Sequence, residues 1–393
     1  MSAVRTPIGR YGGSLKEVAA DALATLVLTE VCRRAAVDVA RVEEVVLGQA
    51  YQNGEAANVA RLAALRAGFP ETTCGITVDR RCASGMSAIE IAAHEIEAGT
   101  IDMAIAGGVE SMSQAEYYLP GAVRWGLKRG NVEMQDRIVA ARVHTNPVER
   151  YGPIPSNITW AENVAAKYGI ARERQDGWAL RSHQRAAAAI ASGAMGEEIV
   201  AVPVPGRKGA STLVDRDEHV REDTSLASLA ALAPLVGGTC TAGNSSGEND
   251  GAAALLLMSD ARAAALGLES WGTLRAFAVA GTDPRYASDA VHDAVAKVLA
   301  RTGLWLDQID LVEINEAFAS QMLANLDALG MTDADADRVN VNGSGISLGH
   351  PVGCTGARIV VTLLHEMRRR KARRGLAALC VGGGMGMAVL VER

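Results

Sequence analysis

The chain has 393 residues, of which 49% are apolar and only 4% aromatic, and its formal net charge is −6 at pH 7. A chain of this length can bury a large core in two or three domains, and small apolar residues suit close-packed α/β layers. No long basic run and no apolar run of about 20 residues occurs, so we expect neither nucleic acid nor a membrane as partner.

The beginning of the chain and its cysteines indicate the compartment. The N-terminal stretch MSAVRTPIGR has no apolar signal segment, and the six cysteines form no CxxC pair. Reduced thiols in a cytoplasmic protein without a metal site are the simplest interpretation.

Strands and helices alternate in the first third. Residues 42–47, 75–79 and 101–107 are short apolar runs typical of buried strands, the last closed by a glycine pair that we interpret as a turn. Helical spacing covers residues 58–67 and the stretch after Cys82. This alternation predicts a parallel or mixed sheet with helices on its faces.

The last third repeats that order. We predict strands at 309–314, 338–341 and 376–381, a helix at 317–329, and a helix through Met367 after a glycine-rich loop. The repeated pattern indicates an internal duplication whose two halves share a crevice at their strand ends.

The intervening residues differ in composition. Residues 115–247 hold proline-containing loops and two helical segments, which favours an inserted lid or binding domain. We therefore assign residues 1–114, completed by about 248–270, to the first half and residues 271–393 to the second.

Cys82 and His350 are the first two candidates for chemistry. Cys82 lies where strand gives way to helix in DRRCASGMSAIE, and a helix N-terminus favours a thiolate. His350 lies in the glycine-rich NVNGSGISLGHPVGCTGAR, where it could be a general base with a pKa near working pH. A buried cysteine at a helix start and a structural histidine are the alternatives.

Two further segments hold polar groups at strand ends. Asn315 and Glu316 in VEINEAFAS are costly to bury unless they bind something, although helix capping by Asn315 also explains them. Cys380 precedes three glycines, 382–384, whose N–H groups suit an anion hole. A phosphate-binding loop is disfavoured because the GxGxxG spacing and a following helix are absent.

Together these segments resemble the thiolase family along nearly the whole chain. The matching motifs are CxSG at 82–85, NEAFA at 315–319, GHPxGxxGxR at 349–358, CxGGGxG at 380–386, TAGNSSGxNDGAAA at 241–254 and RTPIG at 5–9. The resemblance implies an α/β fold of two similar βαβαβαββ halves, packed as α-β-α-β-α layers, with an inserted loop domain for coenzyme A binding and oligomer contacts.

The resemblance also implies an activity and roles for five residues. The expected reaction is reversible thiolysis of 3-oxoacyl-CoA, or condensation of two acetyl-CoA, with ping-pong kinetics through a thioester on Cys82. His350 would accept the thiol proton, and Cys380 would be the second acid and base. Asn315 would hold a water that forms one oxyanion hole with His350, and the N–H groups of Cys82 and Gly382 would form the other.

The substrate side follows from the same resemblance. Arg221, Ser228, Ser246 and Phe318 match positions that bind coenzyme A, although Arg221 could equally be an exposed arginine among acidic residues. Coenzyme A is a substrate, so no cofactor is expected, and a homodimer or homotetramer is usual. A non-catalytic acyl-CoA-binding protein is the alternative, but it would be expected to lack a catalytic cysteine or histidine.

Three stretches depart from the family pattern. Residues 156–165 read SNITWAENVA in place of an HMGxTAENVA-like stretch, and residues 283–294 replace an MGxGPxPA-like segment. Both changes are expected to reshape the acyl end of the pocket, which leaves the acyl group open. The chain also starts at the RTPIG region, so we expect a shortened first strand.

Overall fold

The computed structural model describes residues 2–206 and 210–393. Within them the strands are β1 (Ala3–Arg5), β2 (Gly9–Arg10), β3 (Glu44–Gly48), β4 (Cys74–Val78), β5 (Met103–Ser111), β6 (Tyr117–Tyr118), β7 (Gln135–Asp136), β8 (Val202–Pro205), β9 (Ser211–Val214), β10 (Asn249–Met258), β11 (Thr273–Gly281), β12 (Leu311–Ile314), β13 (Arg374–Val381) and β14 (Met385–Glu392).

The α-helices of the same ranges are α1 (Ala20–Ala35), α2 (Val59–Arg66), α3 (Ser84–Glu97), α4 (Arg137–Val143), α5 (Val148–Tyr151), α6 (Asn157–Tyr168), α7 (Arg172–Ala191), α8 (Leu226–Ala230), α9 (Asp260–Ala265), α10 (Asp289–Thr302), α11 (Ala319–Ala328), α12 (Gly345–Leu348) and α13 (Val352–Arg370). In these ranges, none of the helices combines the length and apolar character that crossing a bilayer requires.

Two sheets share one order of strands. The first runs β1-β10-β5-β3-β4, with β2 also paired to β10, and the second runs β11-β14-β13-β12. In each sheet the first two pairings are antiparallel and the third, β5 with β3 or β13 with β12, is parallel. These four strands therefore have the same topology in both halves, whereas β4 and β2 have no counterpart in the second sheet.

Helices lie on both outer faces and between the sheets. α1 and α2 cover the outer face of the first sheet, and α10 covers that of the second. α3 and α13 pack against each other between the sheets, where α13 contacts strands of both. Because β5 and β13 are covered on both faces, their apolar runs are almost wholly buried. The predicted layered α/β fold is confirmed.

The glycine pair predicted to end the third strand does not form a turn. β5 continues through Gly107 and Gly108 to Ser111, so that interpretation is wrong. A Cβ on Gly107 would lie 2.0 Å from the carbonyl oxygen of Ala253, and one on Gly108 would lie 2.2 Å from that of Gly353. These glycines permit close backbone approach inside the sheet and between layers.

The strand predicted at 338–341 is also wrong. That segment follows a 3-10 helix, Asp333–Arg338, and keeps only single bridges, including Val312 with Val339. Asn340 has a left-handed φ of 45°, and its side chain accepts from the N–H of Ile314 and donates to the carbonyl of Ile314. The Asn340 side chain thus takes the place of the backbone hydrogen bonds that a strand would form there.

The first strand has three residues, against nine in its counterpart β11, and a buried ion network anchors it. Arg5 donates to Glu198 Oε1 at 2.6 Å and to both carboxylate oxygens of Asp217 at 2.7 and 2.9 Å. The Arg5 side chain is fully buried. The arginine of RTPIG therefore ties the first sheet to Glu198 and Asp217, which lie outside that sheet.

We predict that Arg5→Ala lowers the free energy of unfolding by about 3–5 kcal/mol, because it leaves two buried carboxylates without a cation. Denaturant unfolding at pH 7 measures this loss. Arg275→Ala is the control: this half-exposed arginine pairs with Glu392 at 3.5 Å, and its removal should cost under about 1 kcal/mol. Equal losses in the two variants would contradict the anchoring role.

Candidate active site

Two glycine contacts bring the central helices together. A Cβ on Gly85 of α3 would lie 2.8 Å from the Ala357 nitrogen, and one on Gly356 of α13 would lie 2.6 Å from the Met86 nitrogen. The helix backbones therefore touch near their N-terminal ends. Each helix starts just after a candidate residue, so the first turns of both open into the same space.

That space is a cavity of about 170 Å³. Four of the predicted catalytic residues line it together: Cys82, His350, Cys380 and Gly382. Ser246 and Phe318 line it as well, and the edge of the Phe318 ring meets Trp160 with centroids 5.0 Å apart.

The other predicted substrate contacts lie away from this cavity. Arg221 is exposed, and its backbone N–H donates to His183 Nδ1 at 3.2 Å. Ser228 is exposed in a capping box with Ser225 at the start of α8. Neither residue is in the lining, so their roles toward coenzyme A stay predictions.

Two backbone N–H groups act on the Cys82 thiol. Those of Gly382 and of Cys82 itself both lower its pKa. Burial nevertheless raises the pKa of the Cys82 thiol, and these amides and the Arg81 guanidinium offset it only in part. The expectation that the helix terminus favours a resting thiolate is wrong, because desolvation outweighs it.

His350 is held by hydrogen bonds on two sides. Its backbone N–H donates to Asn249 Oδ1 at 2.8 Å, and its Nδ1 lies 2.6 Å from Thr355 Oγ1. The Thr355 hydroxyl donates to the Pro351 carbonyl at 2.9 Å, so its oxygen accepts from Nδ1–H. The Nε2 lone pair is then free to accept a proton.

The electrostatics make His350 a neutral base. Burial, with Arg358 and Arg142 nearby, lowers the pKa of His350 to about 3, so the expected pKa near working pH is wrong. Burial and the adjacent Cys82 raise the pKa of Cys380 well above its usual value. The resting site therefore holds two thiols and a neutral imidazole.

Asn315, the fifth predicted catalytic residue, is not among the residues that line the cavity, and it keeps one unpartnered donor. Its Oδ1 accepts from Arg358 Nη2 at 3.5 Å, whereas its Nδ2 is buried without a partner in the protein. Arg358 itself is fixed by Glu313 at 3.2 Å and Ser344 at 3.1 Å. A buried amide donor of this kind is costly unless a water or ligand accepts from it.

Glu316, in contrast, is a structural residue. Its carboxylate accepts from the side chains of Trp178, Ser182 and Asn340 and from the backbone N–H of Ile346. Phe318 occupies the N-cap position of α11 without a side-chain cap, so the proposed capping by Asn315 is also wrong.

Sequence reasoning missed Glu110, which joins the two halves at the site. Its Oε2 accepts from the N–H groups of Ala50, at 3.0 Å, and Gly353, at 2.8 Å, and its Oε1 accepts from that of Tyr51. Burial raises the pKa of Glu110 to about 7. A lone acid at the end of an apolar strand was the available signal.

The C-terminal glycines have two different structural roles. Gly383 and Gly384 have φ of 88° and 79°, so they form the turn between β13 and β14. Gly382 has no left-handed φ and directs its N–H at Cys82. The turn therefore places Cys380 and one backbone donor against the first thiol.

The comparisons with known proteins decide the family. Models of the thiolase N-terminal domain and C-terminal domain match residues 1–261 and 268–393. The chain belongs to the thiolase family. This confirms the resemblance carried by the sequence motifs.

Named relatives and a solved structure align with this thiolase over its whole length. A Chromobacterium violaceum acetyl-CoA acetyltransferase is 46% identical, and a Pseudomonas aeruginosa beta-ketoadipyl-CoA thiolase is 49% identical, with 100% of this chain and 98% of each relative covered. The crystal structure of a Bacillus anthracis acetyl-CoA acetyltransferase superposes with a TM-score of 0.94 at 44% identity, covering 100% of this chain and 97% of that one.

The first family departure bears directly on the cavity. Ser156, Asn157, Ile158 and Trp160 of the 156–165 stretch line it, whereas no residue of 283–294 does. Ser156 and Asn157 therefore lie in the cavity wall at the positions where the family pattern has His-Met.

We predict that Thr355→Val lowers kcat about 10- to 100-fold, because His350 loses the partner that fixes its tautomer and orientation. Steady-state kinetics measure the loss, and imidazole NMR should show a mixture of tautomers. Thr355→Ser, which keeps the hydroxyl, should restore both. A fully active Thr355→Val enzyme would contradict this positioning role.

Proposed function

We propose that the protein catalyses reversible acyl transfer between 3-oxoacyl-CoA and coenzyme A, through a thioester on Cys82. The observation that carries this proposal is the meeting of two thiols, a neutral imidazole and two backbone donors in one cavity. A non-catalytic acyl-CoA-binding protein does not need a second thiol and a free imidazole nitrogen beside the first.

The first step forms a tetrahedral adduct on Cys82, which becomes the acyl-enzyme when the C2–C3 bond breaks in the second step. The Cys82 sulfur attacks the 3-oxo carbon while His350 Nε2 accepts the thiol proton. Because burial raises the thiol pKa and lowers that of His350, the proton moves during attack rather than before it. The N–H groups of Cys82 and Gly382 then hold the oxyanion.

The second step breaks the C2–C3 bond. Its electrons move to the coenzyme A thioester oxygen and give an enolate, which His350 and a water on Asn315 Nδ2 stabilise. The unpartnered Asn315 amide supports this water site. Cys380 gives its proton to the enolate carbon, and acetyl-CoA leaves.

The third step regenerates the free enzyme. Incoming coenzyme A gives its thiol proton to the Cys380 thiolate and attacks the Cys82 thioester. The departing Cys82 thiolate takes the proton from His350, and the shortened acyl-CoA is released. Run backwards with two acetyl-CoA, the same steps give condensation.

The remaining assignments are part of the same proposal. The inserted domain at 115–247 would hold coenzyme A, with Arg221 and Ser228, and would contribute to a homodimer or homotetramer. The exposed Trp125 and Leu127 on this domain support oligomer contacts. A cytoplasmic location is expected. The names of the relatives leave the acyl group open between acetyl and larger groups.

We predict that wild-type enzyme incubated with acetyl-CoA gains one acetyl group by intact mass spectrometry, and that Cys82→Ala gains none. Cys380→Ser is the matched control: it should still be acylated but should lose thiolysis by several orders of magnitude. An adduct in Cys82→Ala would overturn the nucleophile. Absence of thiolysis with every 3-oxoacyl-CoA length would favour the binding protein.

A further inference from the structure

One wall of the cavity carries two arginines around a tyrosine. Tyr51, Arg81 and Arg142 all line the cavity with Cys82. The Arg81 guanidinium lies over the Tyr51 ring, 4.9 Å from its centroid, and the Arg142 side chain interacts electrostatically with the Tyr51 hydroxyl. The three side chains therefore form one cationic cluster beside the nucleophile.

Each arginine has capacity that the protein does not use. Arg142 donates from Nη2 to Glu248 at 2.6 Å, but its Nε is buried without a partner. Arg81 donates from Nη1 to the carbonyl of Ala50 and lies 3.9 Å from Asp79, too far for a hydrogen bond. The buried Arg142 Nε is costly unless a ligand or a water accepts from it, whereas the partly exposed Arg81 guanidinium also reaches solvent.

The side chains that line the cavity carry an excess of positive charge. The charged side chains in its lining are Arg81, Arg142 and Glu248, with His350 neutral, so the wall carries a net positive charge. Burial raises the pKa of Tyr51, which keeps its hydroxyl as a donor. A carboxylate at the end of the acyl chain would balance this excess positive charge, whereas a methyl group would not.

We propose that the acyl group of the substrate ends in a carboxylate, and that Arg142, Arg81 and Tyr51 bind it. The substrate class is then a 3-oxoacyl-CoA derived from a dicarboxylic acid. This inference rests on the proposed thiolysis and adds which acyl group the same site accepts.

The test compares two substrates of equal length. The kcat/KM for thiolysis is measured with a six-carbon 3-oxoacyl-CoA ending in carboxylate and with its methyl-ended counterpart. Because both carry the same coenzyme A, attraction of the arginines to its phosphates cancels in the ratio. We expect wild type to favour the carboxylate substrate by about 100-fold, as charge-assisted hydrogen bonds allow.

Variants separate recognition from a general electrostatic effect. Arg142→Gln and Arg81→Gln should each reduce the preference at least about 10-fold, and the double Arg142→Gln, Glu248→Gln variant should do the same without an unpaired Glu248. Arg150→Gln is the matched control, because this arginine is exposed outside the lining and should leave the preference unchanged.

Three outcomes would overturn the inference. A wild-type preference for the methyl-ended substrate would refute it while leaving thiolysis established. An equal loss on both substrates in Arg142→Gln and Arg81→Gln would show that the arginines act only on Cys82 and His350. No cleavage of any 3-oxoacyl-CoA would remove the proposed function itself.

Discussion

Backbone contact between α3 and α13 determines where the reacting groups lie. The two helices come from different halves of the chain, and Gly85 and Gly356 let them touch. Cys82 precedes one helix and His350 precedes the other, so contact near the helix starts sets the distance between nucleophile and base. Precise placement of this kind supplies much of an enzyme's rate, because small displacements cost large factors.

Burial between two sheets gives the site its resting state. Desolvation raises the pKa of both thiols and lowers that of His350, so all three groups stay neutral until a substrate enters. Fixed donors compensate when charge develops: the Gly382 N–H beside Cys82, and the Asn315 amide held by Arg358. The polar network behind the cavity therefore works as a preorganised environment rather than as a source of stability.

The sequence predicts the parts of this site that lie in local motifs. Cys82, His350 and Cys380 stand out because glycines and helix starts surround them, and the family resemblance joins them. Partners distant in the chain cannot be read this way: Glu110 holds the N–H of Gly353, 243 residues away. The two wrong fold predictions have related causes. Glycines that permit close backbone approach give the same sequence pattern as a turn. A segment held by a side chain instead of backbone pairing gives the same sequence pattern as a strand.

The most direct test of the helix contact is the rate of Cys82 acylation by acetyl-CoA in Gly356→Ala, measured by rapid quench and intact mass spectrometry. We predict a rate about 100-fold below wild type, since the added methyl forces the helices apart. Gly177→Ala, where a Cβ on α7 meets open space, should acylate at the wild-type rate. Acylation at the wild-type rate in a folded Gly356→Ala enzyme would contradict the claim that this contact positions the site.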